Sequence, residues 1–186
     1  MPTNKNGELS TPCIISAIPC KYWVSCFFFI AFYGTIKPLQ ENIKENKGGY
    51  GMIVMLCVDD KYGMMFNCRR QSQDRVLRER MQKLTGGKPL WMNAYSKKQF
   101  EDSSNICVSE EYLEHAETGE YCFVEDQDIT PYAARIEKII LFRWNRTYPA
   151  DAYFNFELLS SGWILKETEE FEGSSHEKIT EEVYTR

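Results

Sequence analysis

The sequence predicts one α/β domain over residues 52–186: a mostly parallel sheet, flanked by helices, with an antiparallel carboxyl-terminal edge. Three observations predict it. Met52 to Val58 and Ile136 to Trp144 are apolar on both parities, as strands covered on both faces of a parallel sheet are. Between them, short apolar runs alternate with helical segments in the order strand, helix, strand, helix, strand. After them, Trp163 to Phe171 and Lys178 to Tyr184 alternate more openly and read as an antiparallel terminal hairpin.

The elements follow in order. Met52 to Val58 is a buried strand ending at Asp59-Asp60. Ser72 is placed to cap a helix that runs to about Leu84 and is closed by Gly86-Gly87. Pro89 to Met92 is a short strand, and Ser96 caps a short helix ending near Phe100. Ile106 to Val108 is a strand, Glu110 to Ala116 a short helix, and Tyr121 to Val124 another strand. No internal repeat or low-complexity stretch interrupts the series.

Bulk properties set the function classes. The 186 residues suffice for one domain with a real core, and 43% hydrophobic with 26% charged residues is an ordinary globular balance. A formal net charge of −5 lacks the basic excess of a nucleic-acid binder, so no nucleic-acid partner is expected. The seven cysteines, at 13, 20, 26, 57, 68, 107 and 122, are odd in number and contain no CxxC pair. That argues against a disulfide framework and a structural zinc site, and for a reducing, cytoplasmic compartment. Only two histidines occur, His115 and His176. A dinuclear hydrolase of the ribonuclease Z type needs an HxHxDH cluster and further histidines, so that class is excluded and no metal is expected.

The character of the chain changes near residue 51. Ile14 to Tyr33 is almost wholly apolar, broken by Pro19 and Lys21, and approaches the ~20 residues that span a bilayer. Three readings stay open for residues 1–51: a membrane anchor at 14–33, a secretory signal, or translated leader sequence. The third rests on Lys47-Gly48-Gly49, which a purine-rich bacterial ribosome-binding sequence would encode shortly before a start codon at Met52. Charge also divides there: residues 1–51 carry five Lys against three Asp/Glu, or +2, and the rest carries −7.

Several local patterns carry a resemblance. Val58-Asp59-Asp60-Lys61-Tyr62-Gly63-Met64-Met65-Phe66-Asn67 is similar to the first strand of dihydrofolate reductase and its glycine-bearing loop, with Phe66 for the tryptophan of a Trp-Asn pair. The helix with Asp74 resembles the one carrying that family's active-site carboxylate, and Lys88-Pro89-Leu90-Trp91-Met92 resembles the strand before its cofactor-phosphate loop. Ile139 to Arg146, Ala150-Asp151-Ala152-Tyr153-Phe154, Trp163, Glu170-Phe171 and the closing Tyr184-Thr185-Arg186 resemble its last three strands. The resemblance covers essentially all of residues 52–186 and implies a dihydrofolate-reductase-like fold. It implies NADPH as cofactor, a pterin or related heterocycle as ligand, Phe66 and Asn67 at the substrate, and Asn93 and Ser96 in the phosphate-loop position.

The departures are specific. Asn93-Ala94-Tyr95-Ser96 replaces the family's Gly-Arg-x-Thr and lacks the arginine. Glu125-Asp126 follows Phe123-Val124 where the family has a Gly-Gly pair, placing negative charge where a diphosphate would sit. Asp102-Ser103-Ser104 supplies no arginine for a folate tail.

Asp74 is the sharpest candidate for chemistry. Spacing of three and four puts it on the helix face of Leu77, Met81 and Leu84, where a carboxylate must be paired or used. The resemblance implies that it accepts hydrogen bonds from a pterin. The plainer alternatives are a helix-dipole contact in the first turn or pairing with Arg75 or Arg78. Arg69 and Arg70, before the helix, could hold a phosphate or carboxylate of the substrate, or form a solvated basic turn. In Arg143-Trp144-Asn145-Arg146 the expectation is a strand end with Trp144 in the core, over base stacking on RNA. His176 is flanked by Ser175 and Glu177, which on a strand would point to opposite faces and could not form a triad with it. His115 is expected at the surface, and Tyr112 and Tyr121 in the core or its rim.

Two function classes remain: a divergent NADPH-dependent reductase of a pterin or related heterocycle, and a non-catalytic small-molecule or nucleotide-binding module on the same fold. An RNA-processing nuclease is disfavoured by the acidic balance.

Overall fold

The structure, a computed structural model, describes residues 51–186. The apolar stretch at 14–33, with the readings placed on it, lies outside the described residues. Among the described residues no helix is long and apolar enough to cross a membrane.

Strand β1 (Met52–Val58) lies inside the sheet, paired in parallel with β6 (Tyr121–Val124) on one side and β7 (Ile136–Arg143) on the other. Its two parities feed two separate cores. Met52, Val54, Leu56 and Val58 enter one apolar cluster, while Ile53 and Met55 enter the other, with half-buried Cys57 packed against it. β7 divides the same way, Ile139 and Leu141 against Ile140 and Phe142. Each such side chain removed from water contributes about 1.5–3 kcal/mol, so these two strands anchor the fold.

The seven-stranded sheet has the order β5-β4-β6-β1-β7-β10-β9, with β4 at Leu90–Met92 and β5 at Ile106–Val108. These two also run parallel to β6, while β10 (Ile179–Thr185) and β9 (Ile164–Phe171) add the antiparallel edge. The predicted architecture is thus the observed one. A second, three-stranded sheet was not predicted: β2 (Gly63–Phe66) pairs with β3 (Arg69–Arg70) and β8 (Ala152–Tyr153). Two- to four-residue strands lack enough alternation to register as a pattern.

Helix α1 (Arg75–Thr85) buries Leu77 and Met81 against the second core. The other face is covered by α3 (Tyr112–His115), a 3-10 turn at Thr130–Arg135 and α4 (Glu157–Ser160), through Tyr112, Leu113, Leu158 and Leu159. Gly86, at φ 58°, ends α1 in the left-handed conformation and donates its N–H to the Lys83 carbonyl. The predicted cap is displaced. Asp74, not Ser72, caps α1, in an extended conformation and accepting the Leu77 N–H at 3.1 Å. Likewise Asn93, not Ser96, caps α2 (Ala94–Lys97) and accepts the Ser96 N–H at 2.8 Å. In both cases a better acceptor two or three residues away won the position, leaving the serine hydroxyl free for a tertiary contact.

Parallel strands deliver their following loops to one edge. The loops after β1, β4, β6 and β7 carry Asp59, Asn93 to Lys98, Glu125-Asp126 and Trp144 to Tyr148. The carboxyl edge of an open α/β sheet is where such folds place ligands.

Candidate functional site

Asp59 organises that edge. Its carboxyl group is fully buried and accepts the N–H groups of Lys61 (2.8 Å), Gly63 (2.7 Å) and Tyr148 (3.0 Å), with the Gln71 amide at 3.3 Å. One side chain thereby ties the end of β1 to the β2 turn and to the loop after β7. Gly63 fits because a Cβ there would lie 2.6 Å from both the Ala150 Cβ and the Gln71 Nε2.

A cleft of about 490 Å³ opens beside these loops. Three cations line it: Arg70 from β3, Lys98 after α2 and Arg146 after β7. Among the described residues its walls contain no aspartate or glutamate. In a protein of net charge −5, that is a local inversion of sign. Arg70 stacks on the Tyr95 ring at 4.4 Å and donates to the Tyr95 carbonyl, and its Nε lies 3.2 Å from Glu125. Among the described residues, Lys98 and Arg146 form no ion pair.

The acidic pair after β6 does not face this cleft. Glu125 is buried, accepts the Ser96 hydroxyl at 2.7 Å and neutralises Arg70 from behind. Burial raises its pKa, partly offset by the Ser96 hydrogen bond and by Arg70. Asp126 accepts the Asn93 amide at 3.0 Å, and partial desolvation, with Glu110 nearby, raises its pKa. Of the negative charge read from the sequence at this loop, Glu125 is folded inward onto Ser96 and Arg70, while Asp126 stays exposed and is held by Asn93.

Asp74 is 2% exposed. One oxygen caps α1; the other accepts the Ser175 N–H at 2.6 Å and the Ser175 hydroxyl at 2.9 Å, and stands 3.5 Å from His176 Nδ1. Burial alone would raise this carboxyl. Donors from Ser175, Ser174 and Leu77 outweigh it and hold the group well below the usual carboxylate range. The space beside Asp74 is a cavity of about 10 Å³, room for one water.

The other sequence candidates separate. Phe66, Asn67 and Arg69 sit exposed on the β2–β3 hairpin, with Asn67 and Cys68 at positive φ in its turn, and they do not line the cleft. Arg70 does. Asn93 and Ser96 are buried in the cap of α2 and in the Glu125-Asp126 contacts. Trp144 is buried, as expected, while Arg143 pairs with Glu182 at 2.8 Å and with the Tyr62 hydroxyl at 3.0 Å. His115 is exposed, Tyr112 is core and Tyr121 half-buried.

His176 corrects the sequence reading. It lies in the turn between β9 and β10 rather than on a strand, so Ser175 and His176 do touch, Oγ to Nδ1 at 3.0 Å. The ring stacks on Trp144 at 4.6 Å, and its Nε2 meets the Ser72 hydroxyl at 3.2 Å and the Tyr148 hydroxyl at 3.1 Å. Sequence reasoning missed Tyr95, Lys98, Arg146 and Tyr148 as cleft residues. Their signal was positional: each stands just past a predicted parallel strand.

The architecture is that of a dihydrofolate-reductase-like fold. Dihydrofolate reductase from Enterococcus faecalis, solved in complex with NADP(H) and RAB-propyl, superimposes with a TM-score of 0.52. The match has 10% sequence identity and covers 73% of this chain and 96% of that one. No protein-family model matches the chain, and no curated protein matches it in sequence.

Proposed function

We propose that the cleft at the carboxyl edge binds a small anionic ligand, a phosphate- or carboxylate-bearing molecule with a flat aromatic part. One observation carries this reading. Arg70, Lys98 and Arg146 line a cleft whose wall, among the described residues, holds no carboxylate; Glu125 offsets Arg70 from behind, Asp126 is bonded to Asn93, and Lys98 and Arg146 carry no ion pair there. Guanidinium and ammonium groups suit oxyanions, and the Tyr95 and Tyr148 side chains give the same wall aromatic surface.

NADPH is the first ligand to test. The Enterococcus faecalis neighbour was solved with NADP(H), which supports the finer reading, an NADPH-dependent reductase of a pterin or related heterocycle. Lys98 and Arg146 supply charge of the sign that a dinucleotide's phosphates require. For the heterocycle, that reading assigns Asp74, whose oxygens already accept donors from within the fold. The binding module is therefore the reading the geometry supports better.

Titration of NADPH and of inorganic phosphate, followed by nicotinamide fluorescence and by calorimetry, tests both. Saturable binding that falls about 10–100-fold in Lys98→Glu or Arg146→Glu is expected, the range for losing a charge-assisted hydrogen bond. Binding that ignores both substitutions would sink the cleft. Pterin affinity in Asp74→Asn tests the finer reading: an unchanged value removes Asp74 from the ligand site.

A further inference from the structure

Ser72, His176, Asp74 and Ser175 come from two segments about a hundred residues apart, yet they form a connected line of hydrogen-bonding groups ending at the cleft. The hydrogen assignments follow from the acceptors. The Ser175 hydroxyl has two oxygen acceptors, the Gln73 carbonyl and the Asp74 carboxylate, each at 2.9 Å. Its proton goes to one of them, so its Oγ accepts from His176 Nδ1–H. With Asp74 ionised 3.5 Å away, the proton on Nδ1 is doubly favoured, and Nε2 is left with its lone pair. That lone pair faces the hydroxyls of Ser72 and Tyr148, both on the cleft wall. Trp144, stacked on the ring, fixes its plane.

We propose that Ser72 is a nucleophile for hydrolysis of anionic acyl esters, with His176 as its general base and Asp74 and Ser175 as positioning residues. A serine hydroxyl hydrogen-bonded to an imidazole that a third group orients is the arrangement that activates such a nucleophile, and it is recognised by geometry rather than sequence order. Ser72 Oγ adds to the ester carbonyl carbon as Nε2 takes its proton. The bond from carbon to the alkoxy oxygen breaks, and Nε2–H returns that proton to the departing alcohol. Water then adds to the acyl-serine carbonyl, giving its proton to Nε2. The carboxylic acid leaves as the Ser72 oxygen recovers the proton. One water is consumed and no electrons are exchanged. Charge in the substrate is the part of the proposal that rests on the cleft reading, since Arg70, Lys98 and Arg146 select it. The nucleophile itself does not.

The test uses the full chain and a fluorophosphonate, which phosphonylates activated serine hydroxyls. A single adduct, mapped by peptide mass to Ser72 and absent from His176→Gln, is expected. No adduct, or an adduct on Tyr148 or Ser175 instead, overturns the proposal, and the native protein alone decides this if the variant does not fold. Hydrolysis of p-nitrophenyl acetate and mono-p-nitrophenyl succinate then separates the two claims. A kcat/KM about ten-fold higher for the succinate, lost in Lys98→Glu, is expected, as one charge-assisted contact is of that size. An adduct at Ser72 without preference for the succinate overturns the anionic substrate class and the cleft reading together, leaving the nucleophile supported. Phosphate binding in the cleft without an adduct overturns the nucleophile and leaves the cleft reading standing.

Discussion

A carboxylate held below its ordinary pKa by hydrogen bonds stabilises the fold only while it is ionised. In Asp74 the folded value lies beneath the ordinary 3.8, so its contribution is complete above about pH 5 and is lost as the pH falls through 3.8 and lower. Asp74→Asn keeps one cap acceptor but sets an amide donor against the Ser175 N–H and hydroxyl. Its expected cost is about 1–3 kcal/mol at pH 7. Urea unfolding should show the gap to the parent protein narrowing towards pH 3, and a gap constant across that range would contradict the assigned ionisation. The buried position of Asp74 was legible, because spacing of three and seven from Leu77 and Met81 fixes the face. Its partners were not. Ser175 and His176 reach it from a turn whose position depends on the register of β9 against β10, which no local pattern records.

At the scale of the element, strand β1 and strand β9 show what made the fold readable. Leu56 is 0% exposed at the centre of β1, between β6 and β7, whereas Leu165 is 47% exposed on edge strand β9. Leu56→Ala is expected to cost about 2–5 kcal/mol through lost burial and a residual cavity. Leu165→Ala should fall within about 0.5 kcal/mol of zero. Chemical denaturation of both variants checks the pair, and similar losses would place the core wrongly. The sequence distinguished these strands because continuous apolar runs need cover on two faces. Edge strand β9 is instead rich in charge, with Lys166, Glu167, Glu169 and Glu170, which disfavours edge-to-edge association. Arg80 on α1 fastens this edge, pairing with both Glu169 and Glu181 and lying over the Phe171 ring at 4.6 Å. What stayed illegible were the short strands β2, β3 and β8, whose pairing depends on Asp59 and on a glycine at 63 that admits Ala150 and Gln71.

For the whole molecule, the opposition of an acidic surface and a basic cleft has consequences that no single residue has. Lys98 and Arg146 line the same cleft as Arg70, whose charge Glu125 offsets, so positive charge is left over there in a chain whose overall charge is −5. A bound anion relieves their mutual repulsion and binds the folded state alone, so it must raise stability by mass action. At a ligand concentration one hundred times its Kd the gain is about 2.7 kcal/mol, which for a domain of this size is a Tm increase of the order of 10 °C. Because the cations are partly exposed, the rise should shrink as salt shortens the screening length from about 10 Å at 0.1 M to about 3 Å at 1 M. Differential scanning fluorimetry with NADPH, phosphate and chloride at matched ionic strength makes the comparison, in chains begun at Met1 and at Met52. If residues 52–186 hold the whole site, both chains should shift equally. A shift confined to the longer chain would assign part of the binding to residues 1–51, and an equal shift with chloride would reduce the cleft to general screening of charge.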